Sequence, residues 1–348
     1  MLRSSGVRRR AFRALAGRHR GDPRWDGAAA MIGEEHVDLH AMVEGFFRHR
    51  FSTDNALITE AVNRMLRAGG KRIRPRFTLL GAQVSGGDAE SQLPLAAYME
   101  LIHVATLIHD DVVDEAQTRR GVNATAVDFG NRVSVLAGDY LFAWIFRNVT
   151  KHYPHPIPMI LAQTLADITD GEVLQLRSLA DLETTVESYR QTAGKKTAAL
   201  FASSAEVGAI MGGGAPETVE AVKTFAYHYG IAFQMLDDLL DVTATESDLG
   251  KPVANDLRER KMTLPLLVAL QLGGQQFRGK VERYFSDGHD PRAAQHVIEA
   301  MNACGAFEAT HETIAQEVQR ALDCLAPLAE TPAKASFAAF AKALTLHR

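Results

Sequence analysis

Two short acidic runs are the residues best placed to do chemistry. His109-Asp110-Asp111-Val112-Val113-Asp114 and Leu236-Asp237-Asp238-Leu239-Leu240-Asp241 each set three aspartates at i, i+1 and i+4. On a helix, at ~100° per residue, i and i+4 fall ~40° apart and i+1 lies ~100° from i, so all three share one arc. Such an oxygen-rich arc suits a hard divalent ion, and magnesium fills its remaining positions with water and phosphate oxygens. Softer metals prefer His or Cys, and neither run offers a Cys. A solvated acidic helix face is the bland alternative for one such run. Here both lie inside apolar stretches, LIHVATLIHDDVVD and IAFQMLDDLLDV. Three ionised carboxylates at the end of a buried helix repel one another and are costly to desolvate without a cation. Two facing walls of this kind would hold several Mg²⁺ ions around one strongly anionic group, for which a diphosphate is the natural candidate.

Basic motifs supply what metals do not. Gly69-Gly70-Lys71-Arg72-Ile73-Arg74-Pro75-Arg76 packs four cations into six residues after a flexible Gly-Gly. Arg119-Arg120-Gly121 follows the first acidic run where its helix should end. Lys195-Lys196-Thr197, Gly250-Lys251-Pro252 and the stretch Asn255-Asp-Leu-Arg-Glu-Arg-Lys261 add further basic groups. Arginine forks pair with phosphate oxygens, and lysine acts as a mobile point charge. Carboxylate walls beside separate metal-free basic pockets imply two diphosphates held side by side. On the helix of the first run, His103 is seven positions before Asp110 and projects ~20° from it. Gln234, three before Asp237, falls in the arc of the second run. His109 points ~100° away from Asp110, towards packing.

The elements that must position these residues read as helices. Apolar residues recur at three and four positions, as in Leu101, Val104, Ala105, Ile108 and Val112. The stretches Pro94–Ala116, Pro158–Arg177, Ala198–Met211, Pro216–Val242, Leu264–Leu272 and Thr310–Leu325 carry the same signature. Breakers fall between them at Ser85–Asp88, His152–Pro156, Gly212–Pro216 and Gly273-Gly274. Strand alternation never persists. The predicted fold is all-α, one large helical bundle from 31 to 348. With 348 residues, 46% hydrophobic and 23% charged, the composition is that of a globular chain. No run approaches the roughly 18 apolar residues of a membrane span. Two cysteines exclude a disulfide framework or a cysteine-based zinc site.

Charge is unevenly distributed. Residues 1–30 hold eight arginines against two aspartates, while the rest has thirty bases against forty acids. An acidic body argues against nucleic acid as the main partner. For the basic head three readings stay open: a disordered extension, an Arg-rich organelle-targeting segment, or translation beginning at Met31. A cytoplasmic location is expected if the head does not target.

Taken in order, GGKRIRPR, LIHDDVVDEAQTRRG, GDYL, GKKTA, FQMLDDLLD and GKPVANDLRERK resemble the trans-isoprenyl diphosphate synthases, or polyprenyl synthetases. The resemblance runs from about Asn63 to Leu272. It implies an all-α bundle around a deep central cavity, a homodimer, and magnesium as three substrate-bridged ions. A heterodimer with a small subunit is the alternative assembly. The implied reaction is successive head-to-tail condensation of isopentenyl diphosphate onto an allylic diphosphate. Carried over by motif, Asp110, Asp111 and Asp114 are the first metal-binding set, and Asp237, Asp238 and Asp241 the second. Lys71, Arg74, His103 and Arg120 resemble the isopentenyl diphosphate pocket. Arg119, Lys196, Lys251 and, more weakly, Lys261 resemble the allylic diphosphate ligands. Thr197 and Gln234 would lie beside the reacting carbons and, with Lys196, steer the cation.

Product length follows from the wall below the first acidic run. Thr106 and Ala105, four and five before Asp110, are small where short-chain members of the family carry aromatics. At ~5.4 Å per turn, about one isoprene unit each, a product of about six to ten units is expected. Peripheral membrane contact would serve its release. Met99, Ile102, Phe142, Trp144 and Ile145 are candidates for the cavity floor. Shorter-chain (farnesyl or geranylgeranyl) synthesis is the nearest alternative. A class I terpene cyclase is disfavoured because the second motif keeps its aspartates and the GGKRIRPR motif is intact; a non-catalytic subunit would typically have lost acids or bases from these motifs.

Overall fold

The computed structural model describes residues 39–47, 51–243, 254–287 and 291–346. Three helices lead in: α1 (Leu39–Phe47), α2 (Ala56–Arg67), capped by the Asn55 side chain, and α3 (Ile73–Val84). Helix α4 (Leu93–Val113) starts with Pro94 in its first turn, where the missing N–H costs nothing. It ends at Val113, three residues short of the predicted Pro94–Ala116 end, with Asp114 as its C-cap. The chain then forms a ribbon that the sequence reading had not placed: β1 (Thr118–Arg119) pairs antiparallel with β2 (Val122–Asn123). Arg120 and Gly121 both have positive φ, 53° and 76°, as a two-residue hairpin turn of this type requires.

Next come α5 (Thr125–Phe129), α6 (Asn131–His152) and α7 (Ile157–Arg177). Helix α8 (Val186–Ala193) continues through a single π turn, Gly194–Ala198, into α9 (Ala199–Met211). The 28-residue α10 (Pro216–Thr243) carries the second acidic run near its end. Short α11 (Asn255–Arg258) is followed by α12 (Leu264–Leu272), α13 (Gly274–Asp287), α14 (Pro291–Ala303), α15 (Ala306–Cys324) and α16 (Pro332–Ala343). Helix α15 begins one turn earlier than the Thr310 expected from periodicity. The fold is an all-α bundle, and no described helix is long and apolar enough to cross a membrane.

The apolar interior divides in two. One core takes its residues from α10, α12 and α13 to α16. The other is built on α2, α4 and α6. Helices α3 and α9 contribute to both and form the partition between them. They can do so because their backbones touch: a β-carbon at Gly208 would sit 2.0 Å from the Thr78 carbonyl oxygen, and one at Gly81 would sit 2.4 Å from that of Ala205. Phe77 of α3 anchors the partition, with ring centroids of Phe201, Phe225, Tyr229, Phe337 and Phe340 within 5.9 Å. Truncating so buried an aromatic costs about 3–5 kcal/mol. The two acidic runs therefore hang from different cores, α4 on one side and α10 on the other.

Candidate active site

Both acidic runs occupy the last turns of their helices, where the macrodipole is already negative. Carboxylates there lose roughly 0.3–1 kcal/mol each instead of gaining it. Nothing in helix stability explains such a placement twice.

The runs converge on one cleft. Lys261 Nζ lies 3.6 Å from Asp114 Oδ2, 3.9 Å from Asp256 Oδ1 and 2.5 Å from Glu259. The Asp256 N–H donates to Asp241 Oδ2 at 3.0 Å. One path of contacts thus leads from the end of α4 through Lys261 and Asp256 to the end of α10. Burial works against the Lys261 ammonium, but Asp256 and Asp114 outweigh it and hold its pKa above the ordinary lysine value. Asp256 itself is pushed well above the carboxylate range, first by burial and then by Asp241 and Asp238.

Individual aspartates differ in what they touch. Asp110 has no side-chain hydrogen bond or ion pair among the described residues; burial pushes its carboxyl up to about 6, with Lys196 opposing and Glu172 and Asp114 adding to the rise. Asp111 is fully buried. Its Oδ1 accepts from Arg119 Nε at 2.7 Å, whereas Oδ2 is buried without a hydrogen-bond partner. In the second run Asp237 is exposed. Asp238 is 3% exposed and capped on both oxygens, by Tyr189 Oη at 2.6 Å and Gln234 Nε2 at 2.8 Å. Burial lifts its carboxyl to about 6 even though both hydrogen bonds oppose the shift.

The π turn positions the residues expected beside the reacting carbons. Thr197 Oγ1 donates to Gln234 Oε1 at 2.7 Å. Lys196 Nζ turns the other way, donating to Gln175 Oε1 at 2.6 Å and pairing with Glu172 of α7. That approach needs Gly171, where a β-carbon would stand 2.4 Å from the Lys196 backbone nitrogen.

A separate basic pocket lies across α3, α4 and the ribbon. Arg74 sits 4.4 Å over the Phe201 ring, its Nε buried without a hydrogen-bond partner, and burial lowers its pKa to about 10. His103 is held neutral, its pKa driven well below the ordinary value by burial and by Arg74, Arg120, Arg72 and Arg119 around it. Arg120 donates to the Gly69 carbonyl. Lys71 is exposed, 5.5 Å above the Phe233 ring. Arg72 plays another part: 1% exposed, it donates to Glu44 at 2.6 Å, Glu100 at 2.8 Å and the Leu66 carbonyl at 2.8 Å, pinning the loop that presents its neighbours.

Among the predicted residues, the structure thus brings Asp110, Asp114, Lys196 and Lys261 to one side of the cleft and Thr197, Gln234, Asp238 and Asp241 to the other. Arg119 is paired with Asp111 and stays partly exposed. Lys251 lies outside the described residues. His109 packs away from the cleft, its Nε2 3.0 Å from the Val135 carbonyl and its ring edge-on to Phe142. Sequence reasoning missed Tyr189, Glu172, Gln175 and Asp256. The stretch Asn255–Lys261 had read as basic, yet its aspartate faces the acidic run. A Gly inside a helix beside Glu and Gln three apart, Gly171-Glu172-Val173-Leu174-Gln175, was the available signal for α7.

These carboxylates fit magnesium by donor type, all hard oxygens, and by the buried Asp111 oxygen left without a hydrogen bond. They are not preassembled: no group of three His, Cys, Asp or Glu side chains among the described residues is close enough to hold an ion by itself. An ion shared with a bound phosphate meets both facts.

Comparison with known proteins agrees with this geometry. The chain is 36% identical over 292 residues to octaprenyl diphosphate synthase of Escherichia coli (strain K12), covering 84% of this chain and 90% of that one. It is 33% identical to heptaprenyl diphosphate synthase component 2 of Bacillus subtilis (strain 168), covering 86% of each. The crystal structure of polyprenyl synthase from Caulobacter crescentus CB15, complexed with calcium and isoprenyl diphosphate, superposes with a TM-score of 0.82 at 32% identity, covering 95% of this chain and 100% of that one. Residues 55–303 match the sequence profile of polyprenyl synthetase, and with relatives of this identity over most of its length the chain belongs to that family.

Proposed function

We propose that this prenyltransferase, of the medium- to long-chain type, condenses isopentenyl diphosphate repeatedly with an allylic diphosphate to give an all-trans product of about six to ten isoprene units. The observation that carries the reading is the meeting of two acidic helix ends through Lys261 and Asp256 beside a separate basic pocket. Asp110, Asp111, Asp114, Asp237, Asp238 and Asp241 form the walls towards the allylic diphosphate, with Arg119, Lys196 and Lys261 as its basic partners. Lys71, Arg74, His103 and Arg120 take the isopentenyl diphosphate, His103 as a neutral hydrogen-bond partner. The six aspartates would hold magnesium, which we take as three ions, and it would supply the charge that lets a diphosphate leave.

The walls hold the allylic carbon between Thr197, Gln234 and Lys196. When its C–O bond ionises, the departing pyrophosphate takes the bonding electrons and a delocalised carbocation remains. The Gln234 and Thr197 oxygens face that carbon. The isopentenyl double bond attacks it, and the proton then lost goes to the pyrophosphate. Water must be excluded, because it would quench the cation to an alcohol.

The product descends along α4. Ala105 is fully buried and Thr106 is small, its hydroxyl satisfied by the His103 carbonyl at 2.9 Å. Among the floor candidates Met99, Ile102 and Ile145 are wholly buried, and Trp144 stands edge-on to Phe51 and Tyr98. Phe142, half-buried like Trp144 but in ring contact with His109 beside the first acidic run, is the residue we assign to the floor. For assembly we propose a homodimer through the exposed apolar residues Val135, Leu136 and Tyr140 of α6 and Met159 and Val173 of α7.

Incubating the purified chain with Mg²⁺, an allylic primer and radiolabelled isopentenyl diphosphate tests the reading. Labelled prenyl diphosphates of about six to ten units support it. Activity appearing only when a small subunit is added would establish the heterodimer instead, and absence of any elongated product would refute the activity. Ala105→Phe should shorten the product, and an unchanged chromatogram would redirect the chain path.

A further inference from the structure

We infer that Tyr189 is a positioning residue for the condensation: through Asp238 it fixes which end of the Gln234 amide faces the reacting carbon. The inference rests on the reading that Gln234 lies beside that carbon. Four side chains form one line of hydrogen bonds. Tyr189 Oη donates to Asp238 Oδ2 at 2.6 Å; Gln234 Nε2 donates to Asp238 Oδ1 at 2.8 Å; Thr197 Oγ1 donates to Gln234 Oε1 at 2.7 Å. An ionised carboxylate only accepts, so the amide nitrogen must turn to Asp238 and the amide oxygen away from it. That oxygen has two lone pairs, of which Thr197 uses one. The other is free to meet positive charge at the allylic carbon. A flipped amide would present N–H groups there and repel it.

Tyr189 keeps the arrangement in place. It occupies Oδ2 while Gln234 occupies Oδ1, so the carboxylate is held at both ends against swinging into the cleft. The tyrosine is itself tightly aimed, with 8% exposure. A reciprocal capping box between Thr185 and Ser188 fixes the start of α8. The next residue, Arg190, donates at 2.9 Å to Glu317, a buried carboxylate that also contacts His228 at 2.6 Å and Arg320 at 3.0 Å. Helix α8 is thus clamped on both sides of Tyr189. On this account Asp238 anchors an amide, and the metal-facing part of its run falls to Asp237 and Asp241.

Tyr189→Phe removes one hydroxyl and nothing else. We expect kcat to fall about 10- to 100-fold, the scale of a lost hydrogen bond to a charged group. KM for isopentenyl diphosphate and the half-saturating Mg²⁺ concentration should stay within about 2-fold, since no ligand contact is lost. The fraction of allylic diphosphate ending as prenyl alcohol should rise, because water then captures the cation and loses a proton. Gln234→Leu should raise the alcohol fraction too, and adding Tyr189→Phe to it should change little, as coupled residues do not add. Asp238→Asn provides a second variant and should reproduce the same signature. Wild-type kcat and alcohol fraction in Tyr189→Phe, with Gln234→Leu uncoupled, would overturn the role of Tyr189. A large rise in Mg²⁺ requirement in Asp238→Asn would overturn it as well, making Asp238 a metal ligand. Coupled, full-rate turnover by Gln234→Leu would remove the placement of Gln234 and this inference with it.

Discussion

The end of α4 and the end of α10 carry the same i, i+1, i+4 aspartates, yet their neighbours neutralise them differently. On α4, Asp111 is paired with the Arg119 guanidinium and Asp114 approaches Lys261. On α10, Asp238 is met by two neutral donors, Tyr189 and Gln234, and Asp241 by a backbone N–H. Asp256 adds another carboxylate to that side. Among the described contacts, cations meet the first wall at Asp111 and Asp114, and neutral donors meet Asp238 on the second. A hydrogen bond from a neutral donor satisfies an oxygen without cancelling its charge, so Asp238 is held in place while Asp111 is neutralised. Lys261 is the piece they share.

The largest test of that asymmetry removes an open carboxylate from each side. Asp110→Ala and Asp237→Ala should each lower turnover by about 10³-fold or more, the scale of losing a preorganised electrostatic contact. Near-normal activity in either would reject its role and break that side of the comparison. Lys261→Met comes next. It should cost about 10- to 100-fold in kcat/KM for the allylic substrate and raise the Mg²⁺ requirement, because Asp114, Asp256 and Glu259 lose their common counter-charge. Arg119→Met should do less at saturating Mg²⁺, roughly 3- to 10-fold in kcat, since an ion can replace the lost cation at Asp111.

Smallest is a shift in stability with pH. In protein without magnesium, Asp110 and Asp238 titrate near 6 when folded, against 3.8 as the ordinary value. The folded state therefore holds protons that the unfolded chain has released. The stabilisation is full below about pH 4 and is lost as pH rises through 6. Metal-free Tm should fall by a few degrees across that interval. Adding Mg²⁺ with inorganic pyrophosphate should restore more at pH 7.5 than at pH 5. A metal-free Tm that rises from pH 4 to 6.5 would contradict the burial of both carboxyls.

How much of this was readable in the chain itself follows from distance along it. Helix periodicity and the breakers located α4, α7, α9, α10 and α12 within about one turn. The aspartate runs, the GGKRIRPR loop and Gln234 with Thr197 announced themselves by type and spacing. Tyr189 did not: it looks like any buried tyrosine until α8 is laid 49 residues away against Asp238. Arg72 was one of four cations, and only the fold shows that it faces Glu44 and Glu100 while Arg74 faces the pocket. Asp256 hid in a four-residue helix, too short for periodicity to assign a face. Long-range pairing and short elements are what local pattern does not encode.

The π turn at Gly194–Ala198 has one more consequence. The Ala199 N–H bonds to the Gly194 carbonyl five residues back, so this turn holds one residue more than its neighbours can spare. The surplus lets adjacent side chains address opposite walls, Lys196 reaching α7 and Thr197 reaching α10. Deleting a single amino acid there would let the segment relax into regular helix with every contact of α9 preserved. The helix would survive, but it could serve only one of the two walls.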